Sequence, residues 1–169
     1  MPGTVRAIYL APSAGAAPAP VHEARAVAGR GLEGDRYFLG VGSVSRWPGE
    51  GRAITLIEEE TIDAIREECG IDLGEGRSRR NLVTAGVVLA ELVGTQFRIG
   101  GVLLRGARLA APCRHLERRV APGTYDAMKG RGGLRADVLE GGMIRAGAAM
   151  VILGAAEAPR ASAAPGGAA

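Results

Sequence analysis

A thiol at Cys113 follows Pro112, and the next six residues hold Arg114, His115, Arg118 and Arg119. Basic neighbours favour the thiolate, the form of cysteine that attacks electrophiles and binds metals. Pro112 confines Ala111 to an extended backbone and so ends the preceding strand, while residues 113–120 have the composition of a short helix. Cys113 then falls in or just before the first helical turn, where unpaired N–H groups and the positive dipole end favour a negative sulfur. Three uses fit such a sulfur: a ligand to a soft or high-valent metal, a persulfide-forming carrier, or a nucleophile with His115 as its base. Two residues apart on a helix would point Cys113 and His115 about 200° from each other, which weighs against the dyad. A zinc site of Cys113, His115, His22 and Cys69 would use every Cys and His of the chain without a recognised spacing.

The basic residues near this thiol are almost all arginine; of 21 in the chain only Lys129 is a lysine. They gather as Arg77, Arg79 and Arg80, as Arg114, Arg118 and Arg119, and as Arg131 with Arg135, each group beside glycine or a predicted turn. The planar fork of arginine suits bidentate contact with phosphate or carboxylate, so these groups read as anion contacts. Nucleic acid is a poorer fit, because the net charge is only +3 and no aromatic residues interleave with the arginines.

The elements that position these residues are short. Thr4 to Leu10 reads as an opening strand, followed by a Pro/Ala/Gly loop to about Pro20, and residues 21–29 as a second strand. Residues 30–52 are glycine-rich and without a sustained period, the pattern of a long functional or disordered loop. Residues 53–57 are a β-prone run, and Glu58 to Glu68 then shifts to a helical period, with acidic residues in the first turn and Gly70 as the stop. Cys69 falls on the stripe of Ile62 and Ile65 and reads as a small core residue. Asn81 to Val83 and Val87 to Val93 follow as short apolar stretches. Thr95 to Ile99 and Val102 to Arg105 flank Gly100-Gly101, the connection of a tight hairpin. Leu134 to Glu140 and Met143 to Leu153 supply two or three more strands.

A chain of 169 residues, 47% hydrophobic with 27 glycines and 4% aromatics, can bury one core of Val, Ile, Leu and Ala without a disulfide or metal staple. Its strand count points to a mainly β domain, barrel-like or sandwich-like, with a few flanking helices. Residues 1–155 are expected as a single domain and residues 156–169 as a flexible Ala/Pro/Gly-rich tail. Arg6 and Pro12 interrupt the only N-terminal apolar run before it reaches signal-peptide length, and no stretch approaches the roughly 20 apolar residues of a membrane span. A reducing, cytoplasmic setting without membrane association is the expectation.

Read together, Gly-Leu-Glu-Gly-Asp-Arg-Tyr (31–37), Ile-Thr-Leu-Ile-Glu (54–58), Arg-Arg-Asn-Leu-Val (79–83), the run 91–100, Pro112-Cys113, the run 132–138 and the run 141–147 resemble a MOSC domain, the C-terminal domain of molybdenum cofactor sulfurase. The resemblance spans residues 4–153 and is carried by the order of these pieces. It implies a β-barrel-like fold and a molybdenum cofactor, whose pterin dithiolene holds the metal and whose phosphate or nucleotide extends away. Cys113 would be the metal ligand or persulfide site. Arg79 and Asn81 match the Arg-x-Asn positions that hold the cofactor in amidoxime-reducing relatives, and Arg36 lies in the Gly-Asp-Arg segment beside Asp35. Arg80, Arg114 and His115 complete the expected contacts, although Arg80 also reads as a solvated position and Asp35-Arg36 as a turn with a local ion pair.

The implied partners are the pterin cofactor or a sulfur-donor protein. The chain is short beside the reductases, which carry a further N-terminal domain, so its status as an enzyme stays open; it also has Gly147-Ala148 where the family usually shows Gly-Asp, a departure that bears only on a turn. Pyridoxal phosphate, mentioned for the sulfurase fusion, would have to use Lys129 in a domain too small for that fold, and is rejected. Two other readings remain: a non-catalytic anion-binding or adaptor barrel, and a thiol-dependent hydrolase or transferase.

Overall fold

The computed structural model describes residues 2–42 and 49–155. Among them eleven strands and three helices follow in order: β1 (Thr4–Leu10), β2 (Ala19–Val21), β3 (Glu23–Val27), β4 (Gly31–Leu32), β5 (Ile54–Glu58), α1 (Glu59–Cys69), β6 (Leu82–Ala85), β7 (Thr95–Ile99), β8 (Val102–Leu109), α2 (Arg114–Val120), α3 (Thr124–Met128), β9 (Leu134–Glu140), β10 (Gly142–Arg145) and β11 (Met150–Ala155), with a 3₁₀ turn at Leu89–Leu92. Eight strands form one curled sheet in the order β11-β7-β8-β9-β5-β6-β1-β2, and β10-β3-β4 form a second. Thr4 bridges to Ala149, and Val5 N–H donates to the Ala148 carbonyl at 2.9 Å. These bonds bring β1 against the chain entering β11 and bend the large sheet into a half-barrel. Register slips at Val5/Ala7, Leu103/Leu104 and Gly106/Arg108 add the local twist that such curling needs.

The inside of the curl is filled by Val5, Ile8, Leu56, Leu82, Phe97, Leu104, Leu134, Ala136 and Val138. Leu56 sits at the centre, paired in register with Leu82 on one side and Leu134 on the other. A second cluster covers the outer face, where Ile57 and Val83 of the sheet meet Ile62 and Ile65 of α1, Leu116 of α2 and Ala127 and Met128 of α3. Strand alternation therefore fixes the direction of Arg135: with Leu134 and Ala136 turned inward, it faces the side that α2 covers.

β1, the β7–β8 hairpin, α1 and β9 lie where the sequence places them, to within a residue or two apart from a longer β8. The single strand expected over residues 21–29 is instead divided at His22. Val21 pairs with Ile8 in the large sheet and Glu23 with Arg145 in the small one, so the chain changes sheets within three residues. Cys69 is also corrected: it is exposed, because α1 has cleared the core by its last turn. Gly70 then takes a left-handed φ of 68°, the usual way for a helix to stop. Ile71 and Leu73 fill the space that the stripe would have assigned to Cys69. The 30–52 segment begins in β4; residues 43–48 and the expected tail at 156–169 lie outside the described residues. No helix among the described residues is long and apolar enough to cross a membrane.

Candidate functional site

Between the outer face of the sheet and the start of α2 lies a cavity of about 260 Å³, lined by Arg36, Tyr37, Arg79, Arg80, Cys113, His115 and Arg135 together with Ala14, Ala111, Pro112 and Leu116. Five of the seven residues expected to handle a ligand therefore come together: Cys113, Arg36, Arg79, Arg80 and His115. The chain reaches this cavity from five separate places, at 14, 36–37, 79–80, 111–116 and 135, so tertiary structure alone joins them.

Cys113 is the N-cap of α2, with extended backbone (φ −134°, ψ 159°), and its Sγ accepts from the Leu116 N–H at 3.4 Å. The sulfur thus sits against the open N–H groups of the helix while the residue stays exposed. The cap position also answers the helical-wheel objection to His115. Cys113 precedes the helix, so the angular separation of a helical wheel does not apply, and both residues line one cavity. Arg119 Nε donates to His115 Nε2 at 3.0 Å, which holds the imidazole in place.

The arginines are buried to different depths. Arg80, which also reads from sequence as solvated, is only 6% exposed. Its Nε donates to the Gly132 carbonyl at 2.8 Å and its Nη2 to that of Ala110 at 3.3 Å. Burial, and then the nearby Arg135 charge, push its guanidinium down to about 10, since both disfavour the charged form. Arg79 has a left-handed φ of 58°. That is a strained backbone for a residue with a side chain. Arg79 donates to the carbonyls of Ala14 and Ala16 at 2.9 and 2.8 Å, and burial followed by the charges of Arg36 and Arg119 lowers its pKa. Arg36 donates to the Arg79 carbonyl at 3.1 Å and meets Asp35 at 3.4 Å.

Two cavity residues lie outside the expected set. Arg135 is 9% exposed and projects from β9. Sequence groups it with Arg131, but Arg131 pairs with Glu68 at 2.7 Å on the surface. Tyr37 closes the Gly-Asp-Arg-Tyr run, where no role is expected of it. Its ring lies 4.5 Å from the Arg36 guanidinium carbon and 5.9 Å from that of Arg135. Burial works to raise its phenol pKa, but Arg36 and Arg135 together outweigh burial and hold it below the ordinary value, because they stabilise the phenolate.

Asn81 and Arg114 are elsewhere. Asn81 is buried at the start of β6, where Oδ1 accepts from Thr55 N–H and Oγ1, both at 3.1 Å, and Nδ2 donates to the Tyr9 carbonyl at 3.2 Å. It ties β1, β5 and β6 together directly behind Arg80. Asn81→Ala is expected to leave Thr55 N–H without its partner and to cost roughly 2–3 kcal/mol, seen as a fall of about 5–10 °C in Tm. Arg114 turns away from the cavity, pairs with Glu117 at 2.9 Å and stacks 4.3 Å from the Tyr125 ring. Glu117 also accepts from Tyr125 N–H at 2.9 Å, so Arg114 serves the junction of α2 and α3. Among the described residues no group of three His, Cys, Asp or Glu is placed to hold a metal ion.

The architecture is a curled β half-barrel whose covered face holds a thiol among arginines. Comparison with known proteins places it more narrowly. A sequence model of the MOSC domain matches residues 43–151, and the chain belongs to that family, which is associated with the molybdenum cofactor. Among solved structures it is similar to YuaD from Bacillus subtilis, with a TM-score of 0.77 at 15% identity over 93% of this chain and 98% of that one. It is also similar to YiiM from Geobacillus stearothermophilus (TM-score 0.70, 19% identity, 90% of this chain and 75% of that one). YiiM from Escherichia coli gives 0.63 at 19% identity over 89% and 69%. These likenesses show the fold. No curated protein matches the chain in sequence.

Proposed function

We propose that the chain binds the molybdenum cofactor and carries sulfur to it through Cys113. The observation that carries this reading is the convergence of an exposed thiol and four arginines on one cavity, beside a helix N-terminus. The donor set fits the group. A soft thiolate suits a metal already bound by sulfur. Arg79, Arg80 and Arg135 have no carboxylate partner among the described residues, whereas Arg36 meets Asp35, and their charge is left for an anionic ligand. Cys113 would hold the metal or a transferable sulfur, and Arg36, Arg79, Arg80 and Arg135 would hold the pterin phosphate. When bound, the cofactor would supply a redox-active metal centre. Asn81 holds Arg80 in register from behind, and His115, fixed by Arg119, walls the cavity next to the sulfur.

The test is metal and pterin analysis of protein purified anaerobically from a host that makes the cofactor. Wild-type protein is expected to carry molybdenum, and Cys113→Ala to lose most of it. Equal molybdenum in the two would remove Cys113 as ligand.

A further inference from the structure

Asp35, the carboxylate that meets Arg36 at 3.4 Å, is fully buried and already committed. Its Oδ1 accepts from the Ala11 N–H at 3.0 Å, and its Oδ2 from the Tyr37 N–H at 3.2 Å. The cavity therefore carries a surplus of positive charge around Arg80 and Arg135, each nine-tenths buried, which calls for an anion of more than one charge. The cavity is small, at about 260 Å³. A water molecule takes up about 30 Å³ of liquid, so a small oxyanion with some water fills the space. A phosphate would satisfy the arginines but offers the neighbouring thiolate no sulfur to take. An oxyanion that carries a sulfane sulfur satisfies both.

Resting on the sulfur-carrying part of the reading above, we infer that Cys113 is loaded by such an oxyanion, thiosulfate being the simplest, held by Arg80 and Arg135. The Cys113 thiolate attacks the outer sulfur of thiosulfate. A bond forms between Sγ and that sulfur, the S–S bond of thiosulfate breaks, and its electron pair departs on sulfite. One thiolate and one dianion become one persulfide anion and one dianion, so no proton, oxidant or reductant is required. Negative charge collects on the leaving sulfite, where preorganised arginines stabilise it most.

The experiment uses the whole chain carrying Cys69→Ser, so that Cys113 is its sole thiol, reduced and held anaerobically. With thiosulfate, intact mass is expected to rise by one sulfur atom as one sulfite is released. Arg135→Gln should slow loading about tenfold, the loss of one charge-assisted contact. Inorganic polysulfide, which has no oxyanion end, should show a much smaller difference in rate between the two proteins. Loading by polysulfide but not thiosulfate would overturn the donor inference and leave the sulfur-carrier reading standing; loading by neither would bring down both. Equal thiosulfate rates in the two proteins would remove Arg135 from the site. Should Arg135→Gln fold poorly, sulfite protection of Cys113 against iodoacetamide gives an independent reading: sulfite should slow alkylation of the parent protein, and no protection would refute the anion site.

Discussion

Gly133→Ala is expected to yield little folded protein. Gly133 has a φ of +97°, and a Cβ there would lie 1.9 Å from the Leu56 carbonyl oxygen. Leu56 cannot retreat, because β5 is hydrogen-bonded to β6 on one side and to β9 on the other and its side chain fills the centre of the barrel core. The strain of a positive φ and a rigid backbone clash together cost on the order of 4 kcal/mol or more, against a total stability of roughly 5–15 kcal/mol. Gly130→Ala is the matched control, since its φ is +77° but nothing lies within 4 Å of the added carbon. It should lose about 1 kcal/mol or somewhat more. Thermal melts followed by circular dichroism compare the two, and similar Tm values would show that the approach of β9 to β5 is soft.

The second large effect comes from Arg80. Its guanidinium is pushed down to about 10 in the folded chain, well below the ordinary arginine value, because burial and Arg135 disfavour the charge. At about 1.36 kcal/mol per pKa unit, this is about 3 kcal/mol of cost carried by the fold. The sign follows from linkage: from about 10 up to the ordinary arginine value the unfolded chain binds more protons than the folded one, so stability rises with pH in that window, and the whole cost is present below it. A bound dianion offsets the cost at neutral pH. Saturating phosphate is therefore expected to raise Tm by about 6–12 °C relative to chloride at equal ionic strength. Because phosphate also stabilises proteins generally, by exclusion from their surfaces, the readout is the difference between wild type and Arg80→Gln. An equal rise in both would place the anion away from Arg80.

What the sequence made legible was local, and what it concealed was reached across the chain. Cys113 stands out because a proline, a helix start and basic neighbours lie within eight residues of one another, and the fold puts it at the helix cap. The hairpin at Gly100-Gly101 and the opening strand are readable for the same reason. The burial of Arg80 is not, because it depends on carbonyls 30 and 52 residues away. Arg135 alternates with apolar neighbours as a solvent-facing strand residue would, and only the helices laid over that face enclose it. The arginine groups look alike in sequence, yet acids sort them: Asp72 takes Arg77, Glu68 takes Arg131 and Glu117 takes Arg114. Arg79, Arg80 and Arg135 are left for the cavity. Cys69 departs from its expected place because a periodicity says which face a residue occupies and not where the helix leaves the core.

The arginines around the thiol share one habit: each leans on main-chain carbonyls, those of Ala14, Ala16, Gly51, Arg79, Ala110 and Gly132, and only Arg36 adds a carboxylate. A carbonyl is present whatever the side chain, so Ala14 and Ala16 can change identity without loosening the guanidinium that leans on them, while Gly51 and Gly132 are held to glycine by the crowding around them. Such a framework can drift far in sequence while its shape persists, provided the arginines themselves and the close glycine contacts are kept. A similarity of 0.77 in TM-score at 15% identity is the kind of divergence it permits.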